Sequence, residues 1–214
     1  MVYCMSDIHG EIDRFHKMLE MIHFSDSDTL YIIGDVIDRG AGGIDILRDI
    51  IHKPNIVLLR GNHEQMMLDV FGPNSVYGSK SLWLNNGGSC TYIDWTSSRD
   101  SREKERIIKY LLDTVDHVDV EVNGKKLHLV HGCPGDTAED RLWKRPEWYM
   151  LPFFEDRTVI LGHTPTGYFR KHFLGEARIY HGDGFIGIDC WCGLNYPGRK
   201  LACLRLDDMA EFYV

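Results

Sequence analysis

No stretch of this chain stays apolar for the ~20 residues that a membrane-spanning helix needs. No run of lysine and arginine forms a footprint for anionic lipid or for a nucleic-acid backbone. The formal net charge of −8 and a pI near 5.7 also argue against nucleic-acid and membrane partners. No Cys-x-x-Cys pair occurs, which argues against a structural zinc knuckle. Six cysteines are present (Cys4, Cys90, Cys133, Cys190, Cys192 and Cys203), spread along a chain long enough to build a core, so reduced thiols are expected. The opening residues, MVYCMSDIHG, lack the basic segment and the apolar core of a secretory leader, and a cytoplasmic protein is expected.

With 214 residues, 43% hydrophobic and 26% charged, the chain suits one globular domain spanning 1–214. Apolar runs at 2–5, 29–33 and 55–59 read as strands. Each is followed by a polar loop and then by apolar residues at helical spacing, such as Ile12, Phe15, Leu19 and Ile22. Strand, loop and helix repeated three times predict a largely parallel sheet with crossover helices. In such sheets ligands bind beyond the carboxyl ends of the strands, where SDIHG, GDVIDRG and RGNHE fall. The stretch 72–100 reads as loops with a short helix, and 101–115 as a helix burying Ile107, Ile108, Leu111 and Leu112. The pattern then changes to period two. VDVEV, the Asn123-Gly124 turn and KKLHLVH predict a hairpin, with further strands at 158–161, 178–181, 185–189, 200–206 and 211–214.

The polar loops carry an ordered set of metal-ligand types. Asp7 and His9 follow the first strand, Asp35 the second, and Asn62 and His63 the third, while His131 and His163 end later strands. Carboxylate, imidazole and amide donors together suit borderline divalent ions such as manganese, iron or zinc. Two such ions ~3.5–4 Å apart can clamp an in-line displacement at phosphorus, and Asp35 is the natural carboxylate to bridge them. Singly, each of these residues could be only a cap or turn residue; as an ordered set they point to chemistry.

The run SDIHG, GDVIDRG, RGNHE, VHG and GHTP closely resembles the metallophosphoesterases of the phosphoprotein phosphatase type, especially the compact bacterial and phage members. LNNGGSCT at 84–91 and the segment 187–208 extend the resemblance over nearly the whole chain. It implies an α/β fold, the calcineurin-like sandwich of two mixed β-sheets flanked by helices (α/β/β/α). It also implies two divalent ions, with manganese first and iron or zinc as the other candidates. Asp7 and His9 would hold one ion, Asn62, His131 and His163 the other, and Asp35 both. His63 would protonate the leaving oxygen, oriented by Asp38, while Arg39, Arg60 and Arg145 would hold the phosphate oxygens. A hydroxide shared by the metals would attack, inverting phosphorus without a phosphoenzyme.

The chain departs from the pattern at Ser6, where many relatives have Gly, and at Gly132-Cys133. It also has Trp191, a large ring that could narrow the cleft where relatives carry a small residue. Cys190 and Cys192 are expected to share one strand face. Trp83, Trp95, Trp143 and Trp148 read mainly as packing, and His16, His23, His52, His117, His128, His172 and His181 receive no role. The resemblance implies a phosphorylated protein, carrying phosphoserine or phosphothreonine, as substrate. Hydrolysis of diadenosine tetraphosphate is the alternative; a nuclease and a non-catalytic phosphate-binding module stand behind both.

Overall fold

The apolar runs VYCM, TLYII and IVLL form β1 (Val2–Met5), β2 (Thr29–Ile33) and β3 (Ile56–Leu59) in a computed structural model that describes residues 1–98, 100–170 and 177–214. They pair in parallel, with Val2 opposite Thr29 and Leu30 opposite Ile56. The connections are α1 (Ile12–Met21) and α2 (Gly43–Ile50), and α3 (Asn62–Phe71) follows β3. Side chains alternate across β1: Tyr3 and Met5 face the helices with Phe15, Met18 and Leu47, while Cys4 faces a second sheet.

That second sheet contains the predicted hairpin, β4 (His117–Val122) and β5 (Lys125–Val130), followed by β6 (Thr158–Leu161), β7 (Tyr180–His181) and β8 (Phe185–Gly187). Its order is β4-β5-β6-β8-β7, with β5, β6 and β8 parallel. The last strands, β9 (Ala202–Arg205) and β10 (Ala210–Tyr213), return to the first sheet and complete the order β10-β9-β1-β2-β3. Between the sheets lie Cys4, Ile33 and Leu59 from one and Leu127, Leu129, Ile160 and Ile186 from the other. Burial of each aliphatic side chain this size contributes about 1.5–3 kcal/mol, so this layer fixes how the sheets face each other. The outer face of the second sheet is covered largely by loop aromatics, Phe153, Phe154 and Phe169, with one short helix, α7 (Ala138–Trp143), beside it in the chain.

The stretch 72–100 differs from its expectation. It forms α4 (Ser79–Trp83), a π turn (Leu84–Gly88) and α5 (Ser89–Ser97), and leads into α6 (Ser101–Asp113). Helical turns flank the Asn-Asn-Gly-Gly sequence, and only Gly87, at φ 100°, leaves helical geometry. Trp83, Tyr92 and Trp95 gather around Phe71 at ring separations of 5.7–5.8 Å, which holds these helices against α3. Cys190 and Cys192 lie outside the named strands, although both are buried. Between them Trp191 has φ 68°, is buried, and is stacked between Tyr168 and Tyr196 at 5.8 and 4.4 Å. His172 lies outside the described residues. No helix among the described residues is long and apolar enough to cross a membrane.

Candidate active site

Every residue in the expected ligand set stands just beyond the carboxyl end of a parallel strand. Asp7 and His9 follow β1, Asp35 follows β2, and Asn62 opens α3 after β3; His131 follows β5 and His163 follows β6. The two parallel trios thus deliver their loops to one place, which is how residues up to 156 positions apart meet: the His163 N–H donates to Asp7 Oδ2 at 3.0 Å. The ligand atoms of His9, Asp35 and His63 lie within 4.8 Å of one another, and so do those of Asp35, His131 and His163. Asp35 belongs to both groups. Its Oδ2 is 3.6 Å from His9 Nε2, 3.3 Å from His131 Nε2 and 3.8 Å from His63 Nε2.

The imidazoles are aimed by their back-side bonds. His9 Nδ1 meets the Ile37 carbonyl at 3.0 Å and His131 Nδ1 the Ile33 carbonyl at 2.9 Å. A carbonyl only accepts, so each Nδ1 carries a proton and is held on its back side, which leaves each Nε2 facing Asp35. Asn62 Oδ1 stands 2.9 Å from His131 Nε2. His63 differs: its Nδ1–H donates to Asp38 Oδ2 at 2.6 Å, and its Nε2 faces Asp35 and Arg39. Arg39 reaches both His9 Nε2 at 2.7 Å and His63 Nε2 at 3.3 Å, while Arg145 donates to the His163 carbonyl at 2.9 Å. The two exposed guanidinium groups therefore flank a buried cluster of acids and imidazoles.

The electrostatics of this cluster favour positive charge. Burial works to raise the Asp35 carboxyl, yet His131, His63 and His9 outweigh it and hold it well below the usual carboxylate range. Burial works to lower His131, but Asp35 and Asp7 raise it to about 10. Burial, with Asp35 adding to it, keeps the Asp7 carboxyl above its ordinary value. Carboxylates buried this closely need a cation or a proton to share. With the amide oxygen of Asn62 and the Nε2 atoms of His9 and His131 converging on a carboxylate common to two groups, the donor set fits a pair of divalent ions, which would take the place of protons here.

Arg60 does not join the cluster. The resemblance implies a place for it among the phosphate-holding groups. Its guanidinium instead donates to the carbonyls of Leu111, Leu112 and Thr114 at 3.1, 3.0 and 2.8 Å, and to Thr114 Oγ1 and Gln65 Oε1. These carbonyls lie at and just past the C-terminal end of α6, a place that suits a cation. Arg60→Ala is therefore expected to cost about 1.5–3 kcal/mol of stability, read as a lower melting temperature, with kcat retained. A loss of turnover in a variant of normal stability would return Arg60 to the phosphate site.

Several residues here went unassigned in the sequence. Glu64, fully buried, accepts the N–H groups of Asp35 at 2.8 Å, Val36 at 2.8 Å and Gly61 at 2.9 Å, so it holds the loop that presents Asp35. A glutamate at the third position of a helix is a capping-box signal, and it was available in RGNHE. Asp189 ends the run FIGID after β8, the same strand-end placement as the other acids. Burial and the nearby Asp7 push its carboxyl well above its ordinary range. Six site residues, Asp7, His9, Asp35, Asp38, Arg39 and His163, have positive φ between 49° and 73°, which non-glycine residues seldom adopt.

A family model described as calcineurin-like phosphoesterase matches residues 1–187, and the chain belongs to that family. Its members use a dinuclear divalent metal centre. The chain is 33% identical over 112 residues to serine/threonine-protein phosphatase 2 of Escherichia coli, covering 52% of this chain and 47% of that one. It is 39% identical over 71 residues to a symmetrical bis(5'-nucleosyl)-tetraphosphatase of Salmonella paratyphi B, covering 32% of this chain and 25% of that one. The matches thus span about half or less of these relatives' length. A solved serine/threonine phosphatase from Saccharomyces cerevisiae has the same fold, with a TM-score of 0.62 at 14% identity, covering 100% of this chain and 78% of that one.

Proposed function

We propose that this chain is a divalent-metal-dependent phosphoric monoester hydrolase acting on phosphoserine or phosphothreonine in proteins. The observation that carries the reading is the single carboxylate of Asp35, shared by two groups of ligand atoms with arginines at their edge. Asp7 and His9 hold one ion, Asn62, His131 and His163 the other, and Asp35 both; manganese is the proposed occupant. When bound, the ion pair supplies charge that holds phosphate oxygens and lowers the pKa of water toward neutrality.

The chain's own side chains account for the rest. Arg39 and Arg145 grip the phosphate oxygens, since a guanidinium fork matches them in geometry and charge. His63 delivers a proton from Nε2 to the departing oxygen while Asp38 fixes its Nδ1–H. The second reading is hydrolysis of a dinucleoside tetraphosphate, favoured by the 39% identity over 71 residues. The phosphoprotein reading is preferred because relatives named serine/threonine-protein phosphatase 2 match 52% and 65% of the chain against 32%.

The test is a side-by-side comparison of rates on phosphopeptides and on diadenosine tetraphosphate with added manganese. Phosphopeptide turnover is expected to dominate. Turnover of the dinucleotide alone would install the second reading, and no turnover of either with manganese, iron or zinc would remove the hydrolase reading.

A further inference from the structure

The Asp38 carboxylate, with no exposed surface, is bonded in an unusual way for a residue that only orients a histidine. Its Oδ2 accepts two hydrogen bonds of 2.6 Å, one from His63 Nδ1–H and one from the indole N–H of Trp83, while Oδ1 has no partner among the described residues. Trp83 is itself fully buried at the end of α4, edge-on to Phe71 at 5.8 Å and to Tyr92 at 6.2 Å. Packing alone does not call for this N–H, because phenylalanine or leucine would fill a core without bringing a polar group to satisfy.

We propose that Trp83 is a positioning residue for proton delivery: its indole N–H locks the Asp38 carboxylate and, through it, the ring of His63. This rests on the reading of His63 as the acid. One hydrogen bond leaves a carboxylate free to turn about its Cβ–Cγ bond. A second donor on the same oxygen, from a different helix, removes that freedom. The Asp38 N–H also donates to Thr91 Oγ1 at 3.0 Å, so the region from α4 to α5 grips this residue at backbone and side chain together. Arg39 is held by the same region, its N–H donating to the Gly87 carbonyl at 3.0 Å. The π turn between α4 and α5 is what makes room: a Cβ on Gly88 would lie 2.5 Å from Trp83 Nε1. Asn-Asn-Gly-Gly is thus the seat of an indole aimed at the acid's partner, not a surface loop.

The test compares manganese-loaded wild type with Trp83→Phe and with a variant carrying benzothienylalanine at this position, in which sulfur replaces N–H at nearly the same shape. Substrates run from p-nitrophenyl phosphate, whose leaving group departs readily as an anion, to an alkyl phosphate, whose leaving group needs a proton. We expect kcat on the alkyl ester to fall about 10- to 100-fold, part of what a general acid contributes, with a much smaller loss on p-nitrophenyl phosphate. KM and the melting temperature of the benzothienyl variant should hold. Gly88→Ala, which displaces the indole without deleting it, should show the same dependence on the leaving group. An equal loss on every ester, or none on any, would reduce Trp83 to packing. His63→Asn run in parallel separates the layers. If it too is blind to the leaving group, the acid reading fails and Trp83 falls with it; if it is sensitive while the Trp83 variants are not, only Trp83 is overturned.

Discussion

Asp35→Asn is expected to strip both metal ions from the protein and to abolish turnover with them. Asp35 Oδ2 faces His9, His131 and His63 at 3.6, 3.3 and 3.8 Å, so any ion bound in either group of ligand atoms has this oxygen as a neighbour. An amide removes the negative charge and brings an NH₂ that donates where a cation must sit. The loss of affinity should exceed the roughly 10- to 100-fold that follows removal of an outer partner of a metal ligand. Folding should survive, because the other oxygen, Oδ1, only accepts the His63 N–H at 3.1 Å, a role an amide oxygen can keep. Equilibrium dialysis against manganese followed by elemental analysis reads the result. Two ions per chain in the variant would break the assignment of Asp35 to both sites.

His63→Asn should show the opposite combination, with metal content near that of the wild type and turnover of alkyl phosphates reduced by about 10²- to 10⁴-fold. His9 and His131 are each aimed by a backbone carbonyl, whereas His63 is held by a buried carboxylate that favours its charged form. Burial works to lower the His63 pKa, but Asp35 and Asp38 reverse this and raise it above the ordinary imidazole value. With its Nδ1–H tied to Asp38 and its Nε2 at the edge of the cluster beside Arg39, His63 is the ring the proposal assigns to proton delivery. The check is kcat beside metal content on the same preparation. Unchanged turnover would remove His63 from the acid's role, and a loss of one ion would make it a ligand instead.

The architecture was largely legible because its first half is written in a local code. Apolar runs of four or five residues end at Ser6, Gly34 and Arg60, and helical spacing resumes soon after, so strand, turn and helix can be read within a few residues. The candidate ligands were legible for the same reason, each lying at the end of a readable strand. What failed depended on distant partners. Arg60 sits beside a motif, but its side chain is claimed by carbonyls about fifty positions away. Trp83 reads as packing because nothing near it in sequence names Asp38, 45 positions earlier. The stack of Trp191 between Tyr168 and Tyr196 was equally out of reach, because the three rings are joined only in space. Asn-Asn-Gly-Gly misled for another reason: its composition signals a turn, yet one positive φ at Gly87 lets helical backbone continue on both sides.

The six left-handed corners at the centre set heat tolerance against speed. Each such conformation costs a non-glycine residue on the order of 1–3 kcal/mol, and the surrounding sheets must hold it in place. Glycine at any of these corners would relax the chain while deleting a side chain to which the proposed mechanism gives a role. Laboratory evolution toward a hardier enzyme should therefore leave these corners alone and accumulate its changes on the solvent side of the β4–β5 hairpin and along α6.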